Sequence, residues 1–331
     1  MARTVQKRGS MPMRTVAMAC DTQRDARDGL GGLQHRVVLF RVGNVSVATF
    51  GLLGALGVTA GAWVACVRQI QAGMAPSRYA PVLFLVLPTL SIVGSRLFAL
   101  GLDWHRVRHL SWARHGFAFQ GGFILTVAGV AALAAVYHLE LLLLMDTFVL
   151  GVPLGHSLGR IGCFTYGCCH GRPTRSPLCV RYTNPESKAV WQSGLAGVPL
   201  YPTQVYSAVG NLVLFCLLGV LATRQRCPGE LAGIYLTLSS VGRFGIEFLR
   251  GVPVRRWLGW SPFQWIAVIL FGVGVALWIH AATGTERLLF ARGDGLVEAL
   301  RSSGDLAGYM LLLFLGCFAV FGLHGPRVGR R

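Results

Sequence analysis

The chain has 331 residues, of which 53% are hydrophobic and only 13% are charged. Its 31 lysine and arginine residues outnumber its 13 aspartate and glutamate residues, which gives a formal net charge of +18. A water-soluble domain of this length carries far more charge, so the composition excludes that class and indicates a membrane protein with anionic neighbours. The arginines are scattered through short loops and helix ends, which disfavours nucleic acid as the partner and favours phospholipid headgroups.

The chain begins with a basic tail, residues 1–44, which mixes arginine, aspartate and glycine and shows no apolar segment of the signal-peptide kind. Apolar runs of about 20 residues, the length that crosses a bilayer core, then recur through residues 45–283. They predict seven transmembrane helices, because a helix satisfies its own backbone polar groups in lipid. The predicted helices are Val45–Val67, Ala80–Leu102, Phe119–Tyr137, Leu141–Leu158, Val205–Thr223, Glu230–Phe248 and Phe263–Thr283.

Two further segments complete the predicted architecture. Residues 159–204, between the fourth and fifth helices, are rich in glycine and polar residues and predict a small irregular head. Residues 284–331 contain a polar stretch, interpreted as a linker, and a shorter apolar run at Tyr309–Leu323 that is a candidate eighth helix. The predicted fold is therefore an all-α integral membrane protein. Most lysines and arginines lie on the side that holds the tail and the head, so a positive-inside count alone places that side in the cytoplasm.

Charged residues inside the apolar runs are the most informative feature of the sequence. A charge at the bilayer centre costs about 2.5–3.5 kcal/mol on insertion scales, so it needs a partner or a function. These residues are Arg96, Asp146, Arg160, Arg243, Glu247 and Arg250. The last three are spaced four and three residues apart, which puts them on one helical face with the acid between two bases. One interpretation is a buried ion-pair network that only holds helices together; the other is a binding site.

The charged set contains more arginines than acids, which favours an anion as the missing partner. Arginine presents a planar fork of donors that can meet two phosphate oxygens at once, and it keeps its charge at every physiological pH. Glycines surround Arg160 at positions 155, 159, 162, 167 and 171, so backbone N–H groups can approach the same oxygens. The segment around Arg160 is therefore predicted to bind a phosphate group.

The same segment carries a cysteine cluster with the spacing C-x4-C-C-H-x8-C, from Cys163 to Cys179. Structural zinc sites prefer a C-x2-4-C pair at each end, so we predict no metal here. A disulfide within the cluster is plausible if the head faces an oxidising compartment. Small buried packing residues are the commonest alternative.

Several motifs, taken in chain order, resemble those of the bacterial prolipoprotein diacylglyceryl transferases. The family's signature glycine–arginine motif resembles GRIGCFTYGCCHGR, which begins at Gly159. Its proline–glutamine–tyrosine element resembles YPTQVYS at Tyr201, and its arginine–glutamate–arginine helix resembles RFGIEFLR at Arg243. The resemblance runs from about Phe50 to Gln264. Further residues at matching places are Arg96, Asp146 and Gln264.

The resemblance implies a multi-pass enzyme of the bacterial inner membrane. Such an enzyme transfers the diacylglyceryl group of phosphatidylglycerol to the lipobox cysteine thiol of prolipoprotein signal peptides, releases glycerol phosphate and needs no metal or organic cofactor. It also implies that the head lies on the outer side of the membrane, against the positive-inside count. The residues implied in phospholipid binding are Arg96, Gln120, Arg160, Gly171, Gln204, Tyr206, Arg243 and Arg250. Those implied in catalysis are Arg160, Arg243 and Glu247.

The chain departs from the family at a position that matters for proton transfer. Gln120 stands where the family usually has a histidine, and glutamine cannot take up a proton at neutral pH. His156, four residues before Arg160, is therefore the leading candidate for the base that accepts the thiol proton, and His170 is the second. Glu247 and the released phosphate are further candidates, and a packing role for His156 stays open as the alternative. Cys163 and Phe50 likewise stand where the family usually has asparagine and tyrosine.

Three alternatives stay open from the sequence. The first is a transferase of the same fold that acts on another acceptor. The second is a thiol-redox or metal-binding membrane protein that uses the cysteines at 163–179. The third is a lipid-binding or transport protein without catalysis.

Overall fold

A computed structural model of the chain describes residues 37–43, 45–102, 119–251, 257–284 and 294–324. Most of the predicted tail and the connection at 103–118 lie outside the described residues. The described part is mostly helical, with a small antiparallel sheet. Its α-helices are α1 Thr49–Gln71, α2 Leu87–Leu102, α3 Phe119–Val136, α4 Leu141–Tyr166, α5 Lys188–Trp191, α6 Thr203–Ala222, α7 Glu230–Glu247, α8 Pro262–Thr283, α9 Asp294–Ser303 and α10 Ala307–Gly322. Its strands are β1 Val38–Val42, β2 Val45–Ala48 and β3 Leu323–His324.

Five helical segments in the described part are long and apolar enough to cross a membrane, by length and composition. They are α1, α4, α6, α8 and the continuous segment Val297–Gly322. Two shorter apolar helices, Val82–Phe98 and Gly121–Val136, coincide with the second and third predicted spans. α7 forms where the sixth span was predicted, but its charged residues exclude it from the helices that are apolar enough to cross a membrane by composition. The membrane character predicted from the sequence is therefore confirmed.

The start of the first predicted span is a strand, which corrects the purely helical prediction. β2 pairs with β1 on one side and with the two-residue β3 on the other, so the two ends of the described chain meet. Valines alternate with other residues through this segment, and Gly43 turns the chain with a φ of 57°. β-branched residues on an alternating pattern favour a strand over a helix, which begins only at Thr49.

Close glycine contacts join α1 to α4. A side chain at position 57 would lie 2.7 Å from the carbonyl oxygen of Gly155, and one at position 61 would lie 2.7 Å from that of Gly151. Each helix thus contributes two glycines four residues apart, the spacing with which membrane helices bring their backbones together. This contact packs the helix that carries Arg160 against α1.

The C-terminal helices belong to the same core as α1. Leu313 and Cys317 of α10 are buried in one apolar cluster with Phe84, and Trp63 of α1 donates a hydrogen bond to Ser303 at 3.1 Å. The polar stretch interpreted as a linker is helical from Asp294 onward.

Asp146 is fully buried and binds the beginning of α7. Its two carboxylate oxygens accept hydrogen bonds from the backbone N–H groups of Gly229 and Ala232, each at 2.7 Å, and from the Gln225 side chain at 2.5 Å. Arg68 in turn donates to Gln225 at 2.8 Å. A carboxylate at a helix N-terminus satisfies donors that have no partner within the helix. Asp146 therefore anchors α7, whose other end carries Arg243 and Glu247.

Candidate active site

α4 continues through the first half of the GRIGCFTYGCCHGR segment and ends only at Tyr166. Gly167 closes it in the left-handed conformation with a φ of 73°. Arg160 therefore lies on the helix, although the sequence places the start of the head at Gly159. The predicted common face of His156 and Arg160 is confirmed, because Nε of Arg160 donates a hydrogen bond to Nε2 of His156 at 3.0 Å.

His156 is held by one residue of its own helix, α4, and by one residue of the neighbouring helix α6. Its Nε2 accepts from Arg160, and the side chain of Asn211 on α6 also forms a hydrogen bond with the ring. Since Nε2 accepts, the imidazole is in its neutral form with the ring proton on the other nitrogen. The lone pair that could take up a proton is the one that now orients the Arg160 guanidinium.

The predicted stripe at the end of α7 forms two ion pairs with one acid. Nη1 of Arg243 lies 2.6 Å from Oε2 of Glu247, and Nη1 of Arg250 lies 3.8 Å from the same oxygen. The Glu247 side chain is only 5% exposed. α7 ends at Glu247, and a further turn brings Arg250 back over it through a backbone hydrogen bond of 3.3 Å.

Phe263, in the first turn of α8, packs against both arginines and was missed in the sequence. Its ring centroid lies 5.1 Å from the guanidinium carbon of Arg243 and 5.8 Å from that of Arg250. An aromatic face at this distance attracts a cation and leaves the edge of the guanidinium free to donate. Ser261 and Gln264 cap α8 reciprocally, which orients this turn. The sequence signal that could have identified Phe263 is an aromatic residue within the capping box formed by Ser261 and Gln264.

Three arginines therefore share this end of the helices. Arg243 is in electrostatic range of both Arg250 and Arg160. The two ion pairs described here involve the single carboxylate of Glu247, so these three guanidinium groups and one acid carry a net charge of +2. We call Arg160, Arg243, Glu247 and Arg250 the arginine cluster. Its excess charge can bind a dianion such as a phosphate monoester, or the phosphate of a lipid.

Three predicted binding residues connect the head to the helices. Gln204 is fully buried and donates to the carbonyl of Cys168 at 2.8 Å. The backbone N–H of Gly171 donates to the carbonyl of Tyr201 at 2.9 Å, and a side chain at position 171 would lie 2.5 Å from the Tyr201 side chain. Tyr206 donates to a head carbonyl at 3.4 Å. The glycine is thus required by the backbone packing itself, and the lipid contacts of all three residues stay predictions.

The remaining predicted residues, Arg96 and Gln120, belong to the α2–α3 pair. These helices meet at Gly94 and Gly121, where a side chain on either glycine would overlap the backbone of the other. Arg96 is half-buried. The side chain of Gln120 lies outside the described residues.

The head also gathers cysteines beside the arginine cluster. Hydrogen bonds from the thiols of Cys163 and Cys168 hold the pKa of the Cys169 thiol well below its ordinary value, and the charges of Arg160 and Arg250 lower it further. Burial raises the pKa of the nearby Tyr182 hydroxyl.

The fold and this site define a helical membrane protein with a cationic centre where α4, α7 and α8 come together. The chain matches the family described as prolipoprotein diacylglyceryl transferase over residues 37–280, so it belongs to that family. This confirms the resemblance drawn from the motifs, and it does not favour the redox, metal-protein or transport alternatives.

Individual relatives support the same conclusion. The chain is 28% identical over 249 residues to phosphatidylglycerol–prolipoprotein diacylglyceryl transferase 2 of Clostridium perfringens, covering 73% of this chain and 94% of the relative. It is 29% identical over 257 residues to the enzyme of Dehalococcoides mccartyi, covering 73% and 92%. With the enzyme of Nitrosospira multiformis the identity is 33% over 200 residues, covering 58% and 65%.

Proposed function

We propose that this protein transfers the diacylglyceryl group of phosphatidylglycerol to the lipobox cysteine of prolipoproteins and releases glycerol phosphate. Membership of the family supports the reaction type, and the names of the relatives support the two substrates. The observation that carries the proposal is the arginine cluster, in which two guanidinium groups pair with one buried carboxylate and a third, that of Arg160, lies in electrostatic range of Arg243.

The proposed reaction is a displacement at carbon. The thiolate sulfur of the acceptor cysteine forms a bond to a glyceryl carbon of the lipid, and the bond from that carbon to the phosphate oxygen breaks. Negative charge grows on the departing phosphate as the bond lengthens. Donors already fixed beside that oxygen stabilise the transition state more than the bound lipid, which is how they accelerate the reaction.

Each member of the arginine cluster has a distinct role in this proposal. Arg160 and Arg243 bind the phosphate, and Arg250 adds charge next to them. Glu247 holds Arg243 and Arg250 in place without cancelling the excess, because it contributes one negative charge to three positive ones. Phe263 supports both guanidinium groups from one side.

The other predicted residues complete the site in this proposal. Gln204, Tyr206 and Gly171 form the wall of the site on the head side, and Arg96 and Gln120 contact the headgroup from α2 and α3. His156 accepts the thiol proton. To do so it must release Nε of Arg160, so proton uptake and the position of that guanidinium are coupled.

We also propose the placement in the cell. The protein is a multi-pass protein of the bacterial inner membrane, with a basic tail at 1–44, a seven-helix core at 45–283 and a C-terminal extension at 284–331 that adds an eighth helix. The head, 159–204, lies on the outer side. The arginine excess on that side is explained by the anionic lipid it binds, so it does not report topology.

Two experiments test the function. The first expresses the chain in a bacterial strain depleted of its own transferase and measures lipoprotein modification by mass spectrometry, expecting diacylglyceryl-modified cysteine and restored growth. The second incubates purified protein with phosphatidylglycerol vesicles and a lipobox peptide and measures glycerol phosphate release. Binding of phosphatidylglycerol without release of glycerol phosphate would instead indicate a lipid-binding protein. A peptide with serine in place of the lipobox cysteine is the control and should yield no product.

A further inference from the structure

Three thiols that the proposed reaction does not use meet at the end of α4. The Sγ atoms of Cys163, Cys168 and Cys169 all lie within 4.8 Å of one another, and each cysteine is partly buried with a free thiol. Three sulfurs bound to one ion at about 2.3 Å lie roughly 4 Å apart. Small side-chain rotations therefore suffice to close these sulfurs around a single ion. We call these residues the thiol cluster.

The backbone that carries the thiol cluster is held by both α4 and α6. The N–H of Cys168 donates to the carbonyl of Cys163 at 3.2 Å. From α6, Gln204 donates to the carbonyl of Cys168 and Thr203 donates to that of Cys169, each at 2.8 Å. These bonds retain Cys169 at a φ of 58°, a left-handed conformation that is unfavourable for a residue with a side chain. The three sulfurs are thus positioned by two long helices, and this preorganisation favours binding.

The donor set selects the kind of ion. Thiolates are soft ligands that prefer Cu(I) or zinc among the biological metals. Zinc takes four ligands in structural sites, and the adjacent His170 is directed elsewhere, with Nδ1 at 3.0 Å from the carbonyl of Gly171 and Nε2 at 3.4 Å from the hydroxyl of Ser193. A three-sulfur site suits a monovalent ion, since such ions accept low coordination numbers.

The charges around the thiol cluster also suit this ion. Three thiolates and one monovalent cation carry a net charge of −2, which needs positive neighbours in a partly buried place. Arg160 lies one helical turn before Cys163 on α4, and Arg250 pairs with Gly171, two residues after Cys169, so these two arginines supply them. The same two arginines belong to the arginine cluster, so a bound metal–thiolate complex and a lipid phosphate would compete for the same positive charge.

We propose that Cys163, Cys168 and Cys169 form a binding site for one Cu(I) ion, and that an ion bound there weakens the binding of phosphatidylglycerol at the adjacent arginine cluster. The ion site stands on the thiol geometry alone. The antagonism rests on the proposed function, because it requires the arginine cluster to bind the lipid phosphate. Coupling between two binding sites is reciprocal, so the lipid weakens ion binding by the same factor.

The ion site is tested on the purified, reduced full-length chain in detergent. Cu(I) is titrated in competition with a chromophoric chelator, and Ag(I), a redox-inert ion of the same charge, is titrated separately. We expect one ion per chain and at least a hundredfold loss of affinity in Cys168→Ser, Cys169→Ser and Cys163→Asn. The last variant restores the residue usual in the family and should fold. Cys216→Ser, at an exposed position on α6, is the matched control and should bind as the parent does. Binding of no ion by the reduced protein, or equal affinity in all variants, overturns the site.

The antagonism is tested with short-chain phosphatidylglycerol, whose binding is followed by tryptophan fluorescence with and without one equivalent of Ag(I). We expect the dissociation constant of the lipid to rise at least tenfold in the parent and to stay unchanged in Cys168→Ser. An unchanged constant in the ion-loaded parent overturns the antagonism. If the ion-free protein fails to bind this lipid at all, the proposed function fails while the ion site stands. Transfer by the three cysteine variants without metal should match the parent, because the nucleophile belongs to the acceptor peptide.

Discussion

Replacing Arg160 with lysine tests whether Arg160 binds the phosphate through two nitrogens. Lysine keeps the positive charge but has a single ammonium in place of the planar guanidinium group. Nε of Arg160 is bound to His156, which directs the two terminal nitrogens of the guanidinium away from that bond. In the proposed complex both terminal nitrogens donate to the phosphate. A lysine ammonium replaces one of these contacts, and it loses the second and the bond to His156.

The expected loss follows from the second phosphate contact, because the bond to His156 is released when the histidine takes up the thiol proton. A hydrogen bond involving a charged group contributes about 1.5–3 kcal/mol. At about 1.4 kcal/mol for each factor of ten, the transfer rate should fall by roughly 10–10². Arg160→Ala, which also removes the charge, should abolish measurable transfer.

The assay is release of glycerol phosphate from phosphatidylglycerol vesicles in the presence of a lipobox peptide, with the melting temperature in detergent measured in parallel. The matched control is Arg224→Lys, which changes an exposed arginine beyond the far end of α6 and should leave the rate unchanged. If Arg160→Lys kept its rate within a factor of three of the parent, a bidentate contact to phosphate would be refuted. Full activity in Arg160→Ala would refute the anion site as a whole.

Three further predictions concern the other polar residues of the site and the anchor of α7. Glu247→Gln should disorder a phosphate donor and Arg243→Ala should remove one, so each should lower the rate of transfer at least a hundredfold. Variants that keep activity and lose only thermal stability would show that these residues of the arginine cluster are structural. If His156 is the base, His156→Gln should remove the acidic limb from the pH profile of transfer, and an unchanged profile would eliminate that role. A gain of activity in Gln120→His would show that the histidine usual in the family still fits this site. Asp146→Ala should leave two buried N–H groups of α7 without an acceptor, at about 1–3 kcal/mol each, and so lower the melting temperature; a parent-like melting temperature would contradict its anchoring role.

Much of this protein was readable from local patterns in the sequence. Long apolar runs predicted the membrane helices, since the thickness of a bilayer sets their length. The spacing of Arg243, Glu247 and Arg250 predicted a common face, because helical periodicity is a local property. The excess of arginine predicted an anion partner, and the order of the motifs predicted the family.

The tertiary structure decided what depends on contacts distant in sequence. The sequence left open whether Asp146 has a partner or a function, and the structure gives its carboxylate two N–H donors at the start of α7. The sequence predicts that Gly171 lies at the headgroup, which stays a prediction, and the structure adds that it packs closely against Tyr201. Phe263 was predicted only as the first residue of an apolar span, whereas the structure packs its ring against two arginines. No local pattern carries such information, because each contact joins residues that only the packing of the helices brings together.

The thiol cluster and α10 also combine features that the sequence determines with contacts that only the tertiary structure decides. The sequence alone determined that three cysteines are close along the chain, and their spacing disfavoured a zinc site. The convergence of their sulfurs depends on Gln204 and Thr203, which hold two loop carbonyls from another helix. Likewise the apolar run of α10 is visible in the sequence, but the packing of α10 against α1 is not. Composition and periodicity determine which segments enter the membrane and which faces carry charge, whereas the partner of each face is set by side-chain shape and backbone approach in three dimensions.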